Sequence, residues 1–260
     1  MTDRRSIPDP ARITRRLAQE ITRPVVDLCA YPGGPRDRQL LLGDHVTDFG
    51  AGDGWCYVQA LRDGYCGFVR AATLGAPHLP SHRVTARASH AYCAPDIKSG
   101  ERLALSFGAR LEALSETATF IETAHGFVPR QHVHRLSDHA EDPSAIAQLF
   151  LGAPYLWGGN SHAGLDCSGL IQAALLACNL PCPGDSDQQL AQLGAHVLGK
   201  GDYRKNDLLF WKGHVALVLD PQTIIHANAA HMAVVQEPIQ DALDRIEIQG
   251  DGPLIGHKRL

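Results

Sequence analysis

The feature that most constrains this chain is a cysteine placed between a glycine-rich segment and an apolar helix. The segment Trp157-Gly158-Gly159-Asn160 approaches it, Gly164-Leu165-Asp166-Cys167-Ser168-Gly169 contains it, and an apolar run continues to Ala177. The first N–H groups of a helix lack partners within the helix, and with the helix dipole they stabilise a thiolate. Cys167 is therefore a candidate nucleophile, while the alternative of a small buried cysteine stays open at this point.

Composition bounds the class of protein. The chain has 260 residues, of which 44% are hydrophobic and 20% charged, which is typical of a soluble globular protein of two or three domains. The formal net charge of −4 disfavours nucleic acid and anionic membranes as partners. Seven cysteines without framework spacing favour a reducing compartment, and neither an export signal nor a membrane-spanning stretch is recognised. We therefore predict a cytoplasmic protein.

The N-terminal segment, residues 1–23, is predicted to be helical. It is rich in arginine, and its apolar residues recur at helical spacing, which predicts a short helix from Asp9 to Ile21. The spacing rests on Ala11, Ile13, Leu17 and Ile21.

Two small β-barrels are predicted next, over residues 24–76 and 81–137. In both regions short strand-like runs alternate with turns rich in glycine and proline, a pattern typical of small barrels. Gly-Phe-Val closes a run at residues 67–69 and again at 126–128, which indicates a weak internal repeat.

The remainder, residues 141–260, has a different pattern. Pro143 stands in the first turn of a predicted helix, and the Cys167 helix and a short helix beginning near Asp185 follow. Strand-like runs then begin at Leu208, His214 and Thr223. This order predicts an α+β domain in which a helix packs on an antiparallel sheet.

Two histidines supply the partners that a thiol nucleophile needs. His214 opens one predicted strand, His226 closes the next, and Asp220-Pro221-Gln222 turns the chain between them, so antiparallel pairing places the imidazoles side by side. A cysteine at a helix start with such a pair is papain-like in physical outline. Because the chain has 14 histidines, core histidines with satisfied hydrogen bonds are the alternative.

Four ordered motifs now resemble a known family. They are Tyr155-Leu156-Trp157-Gly158-Gly159, Asp166-Cys167-Ser168-Gly169, Gly213-His214-Val215 and Ile225-His226-Ala227. This order is similar to that of the NlpC family of cell-wall cysteine peptidases, over roughly residues 142–260. The likeness is strongest to members with N-terminal bacterial SH3 domains that act as γ-D-glutamyl-L-diamino-acid endopeptidases. It implies an α+β fold with a papain-like NlpC domain preceded by two SH3-like barrels.

The resemblance also implies roles for individual residues. Cys167 would be the nucleophile, His214 the base and His226 the orienting third member. Tyr155 would help to bind the oxyanion beside the backbone N–H of Cys167.

Further residues are implied in substrate binding. Asp166, Ser168, Asp185 and Ser186 would line the pocket for the D-glutamyl residue, whose free α-carboxylate suits hydroxyl and N–H donors. A helix N-cap is an alternative role for Asp185 and Ser186, and both roles can hold together.

In relatives with tandem barrels, an acidic residue and a tyrosine of the first barrel recognise a free N-terminal L-alanine. Asp44 and Tyr65 are the candidates here. Because those relatives usually carry glutamate where this chain has Asp44, a plain turn residue is the alternative.

These observations predict a cytoplasmic cysteine endopeptidase that recycles murein tripeptides or tetrapeptides bearing a free N-terminal L-alanine. The alternatives are a non-catalytic module that binds wall peptides and a thiol amidase or acyltransferase of the same fold. No cofactor or metal is expected, since no cysteine or carboxylate stands at ligand spacing beside His132, His134 and His139.

Overall fold

The computed structural model describes residues 3–199, 201–250 and 252–260. It divides into two compact units, separated in the sequence between Asp138 and His139. The first unit is built from short antiparallel strands, and the second combines helices with an antiparallel sheet.

The strands of the first unit form three sheets, with the orders β3-β2-β6-β5-β4-β1-β7, β10-β9-β14-β13-β12 and β11-β8-β15. The strands are β1 (Leu17–Ile21), β2 (Val25–Cys29), β3 (Arg36–Leu41), β4 (His45–Gly52), β5 (Trp55–Ala60), β6 (Cys66–Arg70), β7 (Leu74–Gly75), β8 (His82–Val84), β9 (Ala88–Tyr92), β10 (Glu101–Ser106), β11 (Arg110–Leu111), β12 (Ser115–Glu116), β13 (Phe120–Thr123), β14 (Gly126–Pro129) and β15 (Val133–Arg135).

The helix predicted from Asp9 to Ile21 is wrong. Only Pro10–Arg12 is helical, as one 3-10 turn, and Leu17–Ile21 is the strand β1, which pairs with β4 and β7. Pairing fully buries Ile21 and places Glu20 against His78, whose backbone N–H donates to the Glu20 carboxylate at 2.9 Å. Tertiary pairing therefore overrides the helical spacing of the apolar residues.

Each predicted barrel region of the first unit contains a hydrophobic core. Ile21, Leu28 and Val46 belong to the first core, and Val84 and Leu105 belong to the second. The regions are linked where the Arg110 N–H donates to the Leu42 carbonyl at 2.9 Å. Gly43 lies beside this link with φ +77, and a Cβ there would be 2.2 Å from the Arg110 carbonyl oxygen, so glycine is required.

The second unit is built on a six-stranded antiparallel sheet of order β18-β23-β19-β20-β21-β22. Its elements are α1 (Pro143–Gln148), β16 (Asn160–Ser161), β17 (Gly164–Leu165), α2 (Cys167–Ala177), α3 (Ser186–Gln192), β18 (Ala195–His196), β19 (Leu208–Trp211), β20 (His214–Asp220), β21 (Thr223–Asn228), β22 (Ala233–Pro238), α4 (Ile239–Gln249) and β23 (Gly256–Arg259).

The helix α2 packs against the central strands β20 and β21. On the sheet, Leu209, Ala216, Val218 and Ile224 form a buried cluster with apolar residues of α4, including Ile246. The α+β arrangement predicted for this part of the chain is confirmed, since the unit combines helices with an antiparallel sheet. In the described part of the chain, no helix has the length and apolar character needed to span a membrane.

Candidate active site

The start of α2 is fixed by a single carboxylate. Asp166 occupies the N-cap position, and its Oδ1 accepts hydrogen bonds from the Gly169 N–H at 2.6 Å and the Ser168 hydroxyl at 3.1 Å. Its Oδ2 accepts from the Gly158 N–H at 2.9 Å, which ties the glycine-rich loop to the helix. Asp166 therefore orients the first turn, in which Cys167 is the first residue.

Glycine is required where this loop and helix meet. A Cβ on Gly169 would lie 2.4 Å from the carbonyl oxygen of Gly159. Such a short distance excludes any side chain at Gly169, so glycine is required at this position for steric reasons.

Cys167 is mostly buried, with 7% of its surface exposed. Its Sγ lies 3.9 Å from the carbonyl oxygen of Gly213, the residue before His214. The thiol at the helix start is therefore next to the turn that joins β19 to β20, where His214 begins its strand.

His214 and His226 lie side by side, as the strand pattern predicted. The Nε2 of His214 is 2.9 Å from the Nδ1 of His226, and the ring centroids are 5.1 Å apart. Because the Nε2 of His214 is hydrogen-bonded to His226, the Nδ1 of His214 is the nitrogen available to accept a proton from a thiol. Burial is the main cause that lowers the pKa of His214 from 6.5 to about 3, and the neighbouring His226 and Arg245 contribute to this decrease. His214 is therefore neutral at physiological pH and able to accept a proton.

A carboxylate that the sequence reasoning missed lies behind His226. The Oε2 of Glu237 is 2.9 Å from the Nε2 of His226, and Arg245 donates two hydrogen bonds to Glu237, from Nε at 2.9 Å and from Nη2 at 2.7 Å. Asn228 also contacts His226 Nε2, through its Nδ2 at 2.9 Å. No sequence motif marks Glu237. Its proximity to His226 follows only from the strand register, in which His226 of β21 pairs with Val235 of β22 and Glu237 lies two residues further along β22.

Tyr155 is half-buried near the thiol. Burial raises its pKa above the ordinary value of 10, and the neighbouring Cys167 and Asp166 raise it further. The hydroxyl therefore stays protonated and can donate a hydrogen bond to a developing oxyanion.

The residues predicted to line the D-glutamyl pocket have different surroundings. Ser168 is buried, and its hydroxyl bonds to Asp166, whose carboxylate is itself engaged. Asp185 and Ser186 are half-buried at the start of α3. The Gln189 side chain of α3 donates to the Ser168 carbonyl at 3.0 Å, which ties α3 to the residue after Cys167. Pocket roles for all four residues stay predictions.

Asp44 and Tyr65 are both buried in the first unit, each with 4% of its surface exposed. The Oδ2 of Asp44 accepts hydrogen bonds from the Leu41 N–H at 2.8 Å and from Arg62 Nη1 at 2.9 Å, and Tyr65 packs in the first hydrophobic core. These contacts show Asp44 as a structural residue of the turn before β4, which is the alternative to substrate binding given in the sequence analysis. Binding of a substrate amine by this pair stays a prediction without support from its surroundings.

A cavity of about 320 Å³ lies beside His214. Residues of several elements line it, including Tyr155, Trp157, Lys212, His214, Arg245 and Gln249. Trp157 is 70% exposed at its rim. In the part of the chain that the structure describes, no group of three or more histidine, cysteine, aspartate or glutamate side chains is arranged to hold a metal.

Comparison with known proteins identifies two family matches in this chain. Residues 152–244 match the NlpC/P60 family, and residues 28–74 match the bacterial dipeptidyl-peptidase SH3 domain. This chain contains an NlpC/P60 domain preceded by a bacterial SH3 domain. The family predicted from the four motifs is thereby confirmed, whereas the second SH3-like barrel stays a prediction.

Curated relatives of the NlpC/P60 domain are peptidases by name. The chain is 33% identical to dipeptidyl-peptidase 6 of Lysinibacillus sphaericus over 102 residues, 38% of this chain and 37% of that protein. It is 37% identical to the γ-D-glutamyl-L-lysine dipeptidyl-peptidase of Bacillus subtilis over 97 residues, 34% of this chain and 32% of that protein. The matches therefore span about a third of the length of these relatives.

A solved structure has a similar fold over most of the chain. An NlpC/P60 family protein from Bacillus cereus matches with a TM-score of 0.78 at 22% identity, over 94% of this chain and 99% of that protein. At this identity the likeness establishes the fold alone.

Proposed function

We propose that this protein is a cysteine peptidase that cleaves the bond between γ-D-glutamate and an L-diamino acid in peptides derived from murein. The observation that carries the proposal is the thiol of Cys167 at the start of α2, beside the turn that leads into the His214–His226 pair. Names of the relatives support the same class of bond, since one is a γ-D-glutamyl-L-lysine dipeptidyl-peptidase.

In the proposed reaction, His214 acts first as a base and then as an acid in each half-reaction. His214 Nδ1 takes the thiol proton, and the Cys167 thiolate attacks the γ-carbonyl carbon of D-glutamate. The Cys167 N–H and the Tyr155 hydroxyl stabilise the oxyanion, and the imidazolium of His214 protonates the leaving amine as the C–N bond breaks. Water, deprotonated by His214, then hydrolyses the thioester and restores the thiol.

The leaving diamino acid is assigned to the cavity beside His214. A general acid must lie next to the atom that it protonates, and His214 lines this cavity whereas Asp185 and Ser186 do not. The acyl side, with D-glutamate, is then assigned to the region of Ser168, Asp185 and Ser186.

The finer parts of the proposal concern the substrate amine and the compartment. We propose substrates with a free N-terminal L-alanine and a role in recycling small peptides in the cytoplasm. Seven cysteines without the spacing of a disulfide framework suit a reducing compartment.

The test is incubation of the full chain with L-Ala-γ-D-Glu-meso-diaminopimelate, with release of the diamino acid followed by chromatography. The wild type is expected to release it and Cys167→Ala to release none. An N-acetylated peptide is expected to react much more slowly.

Each alternative outcome of this experiment contradicts one part of the proposed function. Binding of the peptide without cleavage by the wild type would favour a non-catalytic module. Equal cleavage of the acetylated peptide would exclude recognition of the amine, and hydrolysis only of amides lacking D-glutamate would favour a different thiol amidase.

A further inference from the structure

The chain of hydrogen bonds at the site extends two residues beyond His226. It runs from His214 to His226, then to Glu237 and to Arg245. His226 is fully buried and Glu237 is 9% exposed. A carboxylate this buried needs partners, and both its oxygens have them.

Strand register places Glu237 beside His226. His226 pairs with Val235 across β21 and β22, and Glu237 lies two residues further along β22. Side chains two apart on a strand share a face, so Glu237 is the diagonal neighbour of His226. Arg245 reaches the same carboxylate from α4.

Two groups compete for the Nε2 of His226, and they demand opposite tautomers. The Glu237 carboxylate requires a proton on Nε2, whereas the Asn228 amide nitrogen requires a bare Nε2. The Asn228 Oδ1 accepts from the His231 N–H at 2.8 Å, which keeps the amide nitrogen directed at His226.

The choice of tautomer reaches the thiol through His214. With the proton on Nε2, His226 Nδ1 accepts from His214 Nε2–H, and His214 Nδ1 is left bare to act as the base. With the proton on Nδ1, His226 donates to His214 Nε2, and the neutral His214 then carries its proton on Nδ1. That form cannot accept the proton of Cys167.

We propose that Glu237, held by Arg245, is a positioning residue that selects the Nε2–H tautomer of His226 and thereby the basic form of His214. This inference rests on the proposed function of Cys167 and His214. An ionised carboxylate accepts from Nε2–H more strongly than a bare Nε2 accepts from a neutral amide, so Glu237 prevails over Asn228. Its negative charge also stabilises the imidazolium that forms when the thiol is deprotonated.

The surrounding charges keep Glu237 ionised. Burial raises its pKa, but hydrogen bonds from His226 and Arg245 outweigh burial and lower the pKa to about 2. Besides Arg245 of α4, the charged or titratable neighbours of this pair include His214 of β20 and His231, which follows β21.

Two substitutions separate charge from shape. Glu237→Gln keeps the length of the side chain and removes the charge, whereas Glu237→Asp keeps the charge and shortens the side chain. We expect Glu237→Gln to lower kcat about 10²-fold with KM little changed, the lower end of what general acid–base catalysis contributes. Glu237→Asp is expected to retain more activity than Glu237→Gln. If Glu237 acted only through packing, Glu237→Gln would retain more activity, because glutamine keeps the shape of the side chain. Glu247→Gln, on the exposed face of α4, is the matched control.

Two measurements that need no substrate complete the test. In Glu237→Gln the rate of alkylation of Cys167 by iodoacetamide should fall, and its pH profile should move to higher pH. Nitrogen-15 NMR should show a protonated Nε2 on His226 in the wild type and a mixture of tautomers in the variant.

The outcomes distinguish this inference from the proposed function. If the wild type does not cleave the peptide, the function fails, while alkylation and NMR still report on the tautomer. If Glu237→Gln matches the wild type in kcat, alkylation and His226 tautomer, or if Glu237→Gln exceeds Glu237→Asp in kcat, the inference is overturned.

Discussion

The seven cysteines differ in how deeply they are buried and in which groups surround them. Burial raises the pKa of Cys66 to about 11 and also raises the pKa values of Cys29 and Cys56. Cys93 is exposed, whereas Cys167 lies at the start of α2 beside Gly213. Cys167 and Cys93 are therefore expected to react faster with a small alkylating reagent than Cys29, Cys56 and Cys66.

Replacement of His214 by glutamine should affect these two thiols differently. Because His214 is the proposed base for Cys167, we expect the variant to lose most of the alkylation of Cys167 near neutral pH. Cys93, in the other unit, serves as an internal control that the substitution leaves unchanged. Peptide mapping after timed exposure to iodoacetamide measures both, and equal labelling of Cys167 in the two proteins would contradict the assigned base.

At the scale of elements, the catalytic helix and its strands could be predicted while the N-terminal strand could not. The N-cap Asp166, the glycines and the apolar run mark α2 locally, and the three strands from Leu208 are bounded by turns. In contrast, β1 forms only because β4 and β7 pair with it, and such partners are distant in sequence. Glu237 could not be predicted from the sequence for the same reason, because its position beside His226 depends on the register of β21 and β22.

The N-cap of α2 should be required for both stability and activity. Asp166→Ala removes the acceptor for Gly169 and Gly158, so we expect a loss of about 1–2 kcal/mol in the free energy of unfolding of the second unit. Peptidase activity should fall as well, because the first turn loses its orientation. Urea denaturation with Asp241→Ala as the control, an exposed acidic residue in the first turn of α4, measures the difference. An equal loss in the two variants would argue against a special role for Asp166.

The turn between β19 and β20 should influence the choice of diamino acid. Lys212 lines the cavity beside His214, and no carboxylate is among the described residues that line it. A cationic rim favours the second carboxylate of diaminopimelate over the ammonium of lysine. We expect Lys212→Ala to raise KM several-fold for the diaminopimelate peptide and to leave the lysine peptide little changed. The same change in KM for both peptides would contradict this assignment.

At the scale of the whole molecule, each unit has a hydrophobic core of its own, and the three residues proposed to be catalytic lie in the second unit. The catalytic domain, with its family, could be predicted because four local motifs mark it. The surroundings of Asp44 and Tyr65 could not, because burial and the ion pair with Arg62 depend on how the first sheet folds.

Stability of the second unit should fall at mildly acid pH. The pKa of His214 is about 3 in the folded chain, and the reference value of 6.5 applies to the unfolded chain. Between these two pH values the unfolded chain therefore binds more protons than the folded chain. The free energy of unfolding therefore decreases as pH falls from 6.5 towards 3, and the lowered pKa of His226 acts in the same direction. We expect denaturant unfolding followed by tryptophan fluorescence to show this slope, and His214→Gln to flatten it. An unchanged slope in the variant would exclude His214 as its source.

The measurement that tests the account most directly compares loss of peptidase activity with alkylation of Cys167. A Cys93→Ser chain is treated with iodoacetamide for increasing times, and both the fraction of Cys167 modified and the rate of diamino acid release from L-Ala-γ-D-Glu-meso-diaminopimelate are measured. The account predicts that activity falls in direct proportion to the fraction of Cys167 modified and reaches zero with it. Activity that survives complete modification of Cys167 would contradict the account.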